Sequence, residues 1–96
     1  MGKRSLERRL TKTGRRLKSL RSELAVVEEQ LLYLGEEADD QAIRAIVAET
    51  TPSSFDARSA QGNFENMLKH RSRMIAEIAE LEQKQDELLD QMISAP

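Results

Sequence analysis

Basic residues concentrate near the start of the chain, where their spacing suits the binding of anions. Residues 1–22 contain nine Lys or Arg and one acidic residue, Glu7, so they carry +8, whereas the other residues carry −10. Residues three or four positions apart share one face of a helix, and four cations have this spacing: Arg4, Arg8, Lys12 and Arg15. Together with Arg16, they are candidates for contacting nucleic-acid phosphates or an acidic protein surface.

The alternative function of these charges is to balance acidic residues in the second half of the chain. That half contains acidic residues that would lie beside the basic ones if the chain folds back: Glu77, Glu80, Glu82, Asp86, Glu87 and Asp90. No base-reading motif accompanies the cations. The sequence therefore predicts contact with a phosphate backbone, contact with an acidic protein, or intramolecular balance alone.

Two carboxylates, Glu49 and Asp56, flank the most pronounced turn signal of the sequence. Paired carboxylates at the tip of a helical hairpin could hold a divalent metal inside the channel of another enzyme. This arrangement is similar in outline to the N-terminal coiled coil of Gre-type transcript cleavage factors, which enters the secondary channel of RNA polymerase. The simpler interpretation is that Asp56 helps to cap a helix at Ser53 and that Glu49 is a solvated helix end.

The composition argues against catalysis by the chain itself. It has no Cys and a single His, His70, so a thiolate or imidazole metal site is not expected. A chain of 96 residues buries too little surface for a deep active site beside its core. We expect no enzyme activity, no cofactor, no bound metal and no small-molecule substrate. Without a signal-peptide run or a membrane-spanning segment, we expect a cytoplasmic location and no membrane partner.

Long helices must position these residues, because a second set of residues, mostly apolar, recurs at alternating steps of four and three. This spacing is typical of the line along which the helices of a coiled coil pack together, which we call the seam. The first run is Leu6, Leu10, Thr13, Leu17, Leu20, Leu24, Val27, Leu31, Leu34 and Ala38. The second run is Ala57, Ala60, Phe64, Met67, Arg71, Met74, Ile78, Leu81, Gln85, Leu88 and Met92. The sequence predicts an all-α fold, an antiparallel two-helix coiled-coil hairpin.

The segment between the runs predicts where the chain reverses. Pro52 disfavours a helical conformation at the preceding residue, and Ser53 is a good N-cap. We therefore predict a single domain over residues 1–96, with helices over about 5–50 and 54–93 and a turn at 50–54. If the helices run antiparallel from this turn, the numbers of any two facing residues add to 105. Leu17, for example, should face Leu88.

The same register has further consequences. Arg21 should lie near Glu82, and Glu23 near Lys84. Leu10 should face Ala95, so residues 1–9 should project beyond the end of the second helix without an intrachain partner.

The pattern weakens after Gly35, where an apolar stripe of Ile43, Ile46 and Val47 turns away from the seam. One alternative is a helix break near 35–40, with Gly35 as the end of one helix. We favour a continuous helix whose face rotates, because Ala45 and Ala60 keep the register. The stripe is a candidate surface for recruiting a protein partner.

A second apolar stripe flanks the seam at Leu68, Ile75 and Leu89. A two-helix hairpin would leave these side chains partly exposed, whereas a second copy would bury them in a four-helix bundle. We therefore expect a homodimer that uses this stripe as its interface.

The segment from Leu31 to Asp40, with its Glu-Glu-Ala-Asp-Asp block, and the segment Val47 to Pro52 resemble small uncharacterised coiled-coil proteins of actinobacteria. In those proteins, such a block and a Glu-Thr-Pro turn join two charged helices. Here an additional Thr51 precedes Pro52. The resemblance implies a helical hairpin and implies no activity.

Three functional hypotheses follow. The first is a non-catalytic module that contacts nucleic acid, or a nucleoprotein machine such as a ribosome or RNA polymerase, through the basic N-terminal helix. The alternative is a structural or adaptor protein that binds a protein partner through the apolar stripe near the turn. The third is modulation of RNA polymerase by Glu49 and Asp56.

Overall fold

The computed structural model, which describes residues 2–94, consists of two long helices. Helix α1 spans Lys3–Ala48 and helix α2 spans Thr51–Ser94, and the described residues contain no strand. Proline is absent from α1 and occurs in α2 only at Pro52, in the first turn, where a missing N–H removes no hydrogen bond. The predicted all-α antiparallel two-helix coiled-coil hairpin is confirmed.

Helix α1 passes through Gly35 without interruption. A methyl group added at Gly35 would lie 3.7 Å from the ring of Phe64, which is an ordinary van der Waals distance. A methyl group would therefore fit between Gly35 and Phe64, and the alternative of a break at 35–40 does not occur.

The turn is shorter than the sequence predicts and lies earlier in the chain. Only Glu49 and Thr50 separate the helices, because residues 51–54 already belong to α2. Glu49 has a φ of 53°, in the left-handed region, and its N–H donates to the carbonyl oxygen of Ala45 at 3.1 Å. This geometry is typical of a residue just beyond a helix C-terminus.

Thr50 caps helix α2, so the prediction of Ser53 as the N-cap is wrong. The hydroxyl oxygen of Thr50 accepts the backbone N–H of Ser53 at 3.2 Å, and the hydroxyl of Thr50 donates to that of Ser53 at 2.8 Å. The N–H of Ser54 donates to the Thr50 carbonyl at 3.1 Å. Thr50 can act as the cap because Pro52 fits the first turn of a helix and requires no acceptor there.

By contact density the chain divides into two compact units, each formed by one segment of α1 and one of α2. The unit near the turn is Ala25–Ser72. In it, Arg71 Nε lies 4.0 Å from Glu28 Oε1, and the ring of Phe64 lies beside Gly35. In both cases the residue numbers add to 99 instead of 105. The predicted partners, such as Leu34 with Arg71, are therefore displaced by six residues, close to one heptad.

The other unit is Met1–Leu24 with Arg73–Pro96, of which residues 2–24 and 73–94 are described. Leu6, Leu17 and Leu20 are its most buried large side chains, with 2%, 1% and 1% of their surface exposed. Arg9 lies in a groove beside Leu88, as the displaced register requires. The predicted projection is therefore wrong for the described residues up to Arg9, whereas Met1 and the pairing of Leu10 with Ala95 lie outside the described residues.

Ion pairs cross between the helices in this unit. Arg21 Nη2 lies 3.9 Å from Glu82 Oε2, which confirms that predicted pair, and Arg16 Nη2 lies 3.0 Å from Glu77 Oε1. No ion pair between Glu23 and Lys84 occurs in the part of the chain that the structure describes.

The burial of Leu6 leads to a stability prediction. Leu6→Ala should lower the free energy of unfolding by about 2–3 kcal/mol, because the substitution removes buried methyl groups and leaves a cavity. Leu32→Ala is the control, since Leu32 is 69% exposed and should change stability by less than about 0.5 kcal/mol. Urea unfolding followed by circular dichroism measures both. Equal stability of the two variants would mean that Leu6 is not in the core.

The cap leads to a second prediction. Thr50→Ala should lower the free energy of unfolding by about 1 kcal/mol, because the N–H of Ser53 loses its acceptor, whereas Thr50→Ser should keep most of the stability. Ser53→Ala removes only an exposed hydroxyl and should have a smaller effect. If thermal melts show a larger loss for Ser53→Ala than for Thr50→Ala, the assigned cap is wrong.

Candidate functional site

Four exposed cations follow one side of α1, and we call them the basic row: Arg4, Arg8, Lys12 and Arg15. They line a shallow groove together with Glu7 and Thr11. Consecutive members are slightly more or slightly less than one helical turn apart, about 4.5–6 Å along the axis. The structure therefore brings together four of the five basic residues that the sequence predicts as binding residues.

The seam explains why the basic row faces outward. Leu6, Thr13 and Leu17 point to the opposite side of α1 and are buried against α2. The hydroxyl of Thr11 donates to the carbonyl oxygen of Glu7 at 2.9 Å and remains on the exposed side. Within the described residues, no member of the basic row forms an ion pair. The row is thus a surface of cations that form no ion pair with the described residues.

Arg16 differs from the basic row although it follows Arg15 directly. Its Nη2 and Nε donate to Glu77 Oε1 at 3.0 and 3.3 Å, at an edge of the seam. Both side chains are nearly half exposed, so the pair contributes at most about 1 kcal/mol. The proposal of intramolecular balance fits Arg16 and Arg21, which pair with α2, and does not fit the basic row.

Lys18 is a cation that the sequence analysis did not select. It is exposed, and it has no ion pair in the described part of the chain. Its spacing of three residues from Arg15 would continue the row by one turn. This spacing is the feature of the sequence from which Lys18 could have been predicted as a further binding residue.

The apolar stripe near the turn lies on the outward side of α1. Ile43, Ile46 and Val47 are 61%, 74% and 79% exposed. Phe55, in the first turns of α2, is 62% exposed and was not selected from the sequence. These side chains form no part of the core, as expected for a stripe that turns away from the seam.

The structure does not bring Glu49 and Asp56 to face each other, so that prediction is wrong. Glu49 lies in the turn itself, whereas Asp56 lines a groove with Glu37 and Gln41. The displaced register causes this difference. Among the described residues, no three His, Cys, Asp or Glu side chains converge as metal ligands do. With the cap at Thr50, Asp56 does not serve Ser53 as a capping partner either.

The predicted dimer residues occupy an intermediate environment. Leu68, Ile75 and Leu89 are 42%, 40% and 44% exposed. His70 is exposed and lines a shallow groove with Leu34 and Met67. Among the described residues, neither helix has the apolar length that crossing a lipid bilayer requires.

Comparisons with known proteins give no match. No protein-family model matches the chain, and no curated protein or solved structure matches it. The resemblances to actinobacterial coiled-coil proteins and to Gre-type factors therefore stay predictions. Function is inferred below from the side chains alone.

Proposed function

We propose that this protein is a non-catalytic module that binds the phosphate backbone of a nucleic acid through the basic row, either directly or within a nucleoprotein machine such as a ribosome or RNA polymerase. The observation that supports the proposal is the row itself. Four neighbouring cations share one exposed face and have no ion pair within the described chain.

The spacing of the row carries an energetic cost that an anion would remove. Arg4 and Arg8, and Arg8 and Lys12, are like charges four residues apart on a helix. Each such pair destabilises a helix by roughly 0.2–0.5 kcal/mol. A phosphate chain alongside the row would convert this repulsion into attraction and release counterions.

The side-chain types fit phosphate more closely than a generic negative surface. Three of the four members are Arg, whose planar guanidinium can donate two parallel hydrogen bonds to a phosphate. The row spans about 16 Å along the helix, from Arg4 to Arg15. Its groove offers only one short hydroxyl, that of Thr11, and no amide side chain for reading base edges. We therefore expect binding that depends little on nucleotide sequence.

Salt dependence gives the test. Four phosphate contacts should give a slope of about −3.6 in a plot of log binding constant against log salt concentration for a DNA duplex. The variant R4Q/R8Q/R15Q should reduce the magnitude of that slope to about 0.9 and weaken binding at low salt. Fluorescence anisotropy with labelled DNA and RNA duplexes measures both quantities.

A matched control removes the same charge elsewhere. Arg58, Lys69 and Arg73 lie exposed on α2 and have no ion pair among the described residues, so R58Q/K69Q/R73Q should keep the parental slope. Equal losses in the two triple variants would show a response to net charge alone. A parental slope in the row variant would reject the proposal.

A second candidate function is recruitment of a protein partner through the apolar stripe near the turn. Ile43, Ile46 and Val47 have the spacing with which a helix inserts side chains into a hydrophobic groove, and all three are more than 60% exposed. No comparable observation favours the tip carboxylates, because Glu49 and Asp56 do not face each other.

For this second candidate, the variant I43Q/I46Q/V47Q should lose a specific protein that the parent captures from native lysate at moderate salt. The hairpin should remain folded, because none of the three side chains is buried. L32Q/I93Q, which replaces exposed apolar residues elsewhere, is the control and should retain the same protein. Retention by both variants would exclude the stripe as the binding surface.

A further inference from the structure

The two edges of the seam in the unit Met1–Leu24 with Arg73–Pro96 differ in chemistry. One edge carries the Arg16–Glu77 ion pair and the polar side chains of Lys84 and Gln91. The other edge, which we call the leucine edge, consists of Ile75, Glu82 and Leu89 on α2 and of Glu7, Gly14 and Arg21 on α1, with Glu82 beside Arg21. Only the leucine edge combines aliphatic side chains with a glycine.

The aliphatic side chains of this edge are only partly buried by the two helices of one chain. Ile75 and Leu89 keep 40% and 44% of their surface exposed, whereas the isolated apolar residue Ile93 keeps 82%. They recur at heptad spacing along α2, and Leu68 occupies the corresponding position in the unit near the turn. Regular spacing at one helical position is what a further packed helix requires.

The charges of the leucine edge have both signs, which suits a second copy of this chain. Arg21 and Glu82 lie 3.9 Å apart, and Glu7, at the heptad position of Gly14 and Arg21, adds one further negative charge. A second copy brings a cation as well as carboxylates, so charges of opposite sign can face each other across the interface. The outward face with the basic row could not serve in this way, because two rows would repel each other.

Gly14 gives an independent reason for a close approach at this edge. A glycine inside a helix costs about 1 kcal/mol relative to alanine. Nothing lies within 4 Å of the place where a side chain would begin at Gly14, so packing within the chain does not require the glycine. A helix of a second copy could approach the backbone of α1 here, opposite Leu89.

The surface area of the chain is sufficient for such an interface. The chain exposes 7189 Å², about 1,600 Å² more than the usual area of roughly 5,600 Å² for a single-chain protein of this mass. A standard interface buries about 800 Å² on each partner.

We infer that two copies of this chain associate through their leucine edges as a homodimer with four packed helices. The association is isologous, so each copy contributes the same residues to the interface. It is independent of the proposed function, because the basic row lies on the outward face of α1. The dimer presents two such rows.

The first test is the mass of the full chain in solution as a function of concentration. By sedimentation equilibrium, the parent should have twice the monomer mass of 10.9 kDa, and I75Q/L89Q should raise the dimer Kd by about a hundredfold or more. L32Q/I93Q, with the same chemical change at exposed positions outside the edge, should dimerise as the parent does. A monomeric parent, or an undiminished dimer of I75Q/L89Q, would overturn the inference.

The second test separates an interface effect from a folding defect. Gly14→Ala should raise the melting temperature of monomeric I75Q/L89Q, because alanine favours the helix. In the parental background the same substitution should weaken the dimer by about tenfold, because its methyl group occupies the space of the approaching helix. A stabilised monomer with an unchanged dimer Kd would overturn the assignment of Gly14 to the interface.

Discussion

The heptad seam is the interaction on which every other feature depends. Burial of Leu6, Leu17 and Leu20 against α2 fixes the rotation of α1, and that rotation decides which side chains face water. The basic row faces outward because it lies opposite these leucines. The leucine edge is half exposed because it borders the seam without entering it. The surfaces that we propose for binding are therefore a consequence of how the two helices cover the seam.

Heptad spacing determines which side of each helix faces the other helix. It does not determine the register, that is, which residues lie opposite each other. Sliding one helix by seven residues past the other leaves every seam residue on the seam, so spacing alone cannot distinguish a pairing of Leu34 with Arg71 from the observed approach of Gly35 to Phe64. The turn makes the distinction, because its two residues bring the helix ends close together. Pro52 does not break the helix as predicted, because proline is tolerated in the first turn.

The parts of the site that depend on one helix could be predicted, and the parts that depend on register could not. Helical spacing alone placed Arg4, Arg8, Lys12 and Arg15 on a common face, and it placed Ile43, Ile46 and Val47 away from the seam. Whether Arg16 is free, whether Glu49 meets Asp56 and whether residues 1–9 project all require knowledge of the opposing helix. The predictions of paired carboxylates and of a projecting segment were wrong, and the ion pair of Arg16 with Glu77 was not foreseen.

The register of the seam is the central claim, and Phe64 offers the most direct measurement of it. The chain has only two Phe residues, so the ring protons of Phe64 can be assigned readily in a nuclear magnetic resonance spectrum. The structure predicts nuclear Overhauser cross-peaks between the Phe64 ring and the Hα protons of Gly35. Cross-peaks from that ring to Gln41, its partner when facing numbers add to 105, with none to Gly35, would contradict the account.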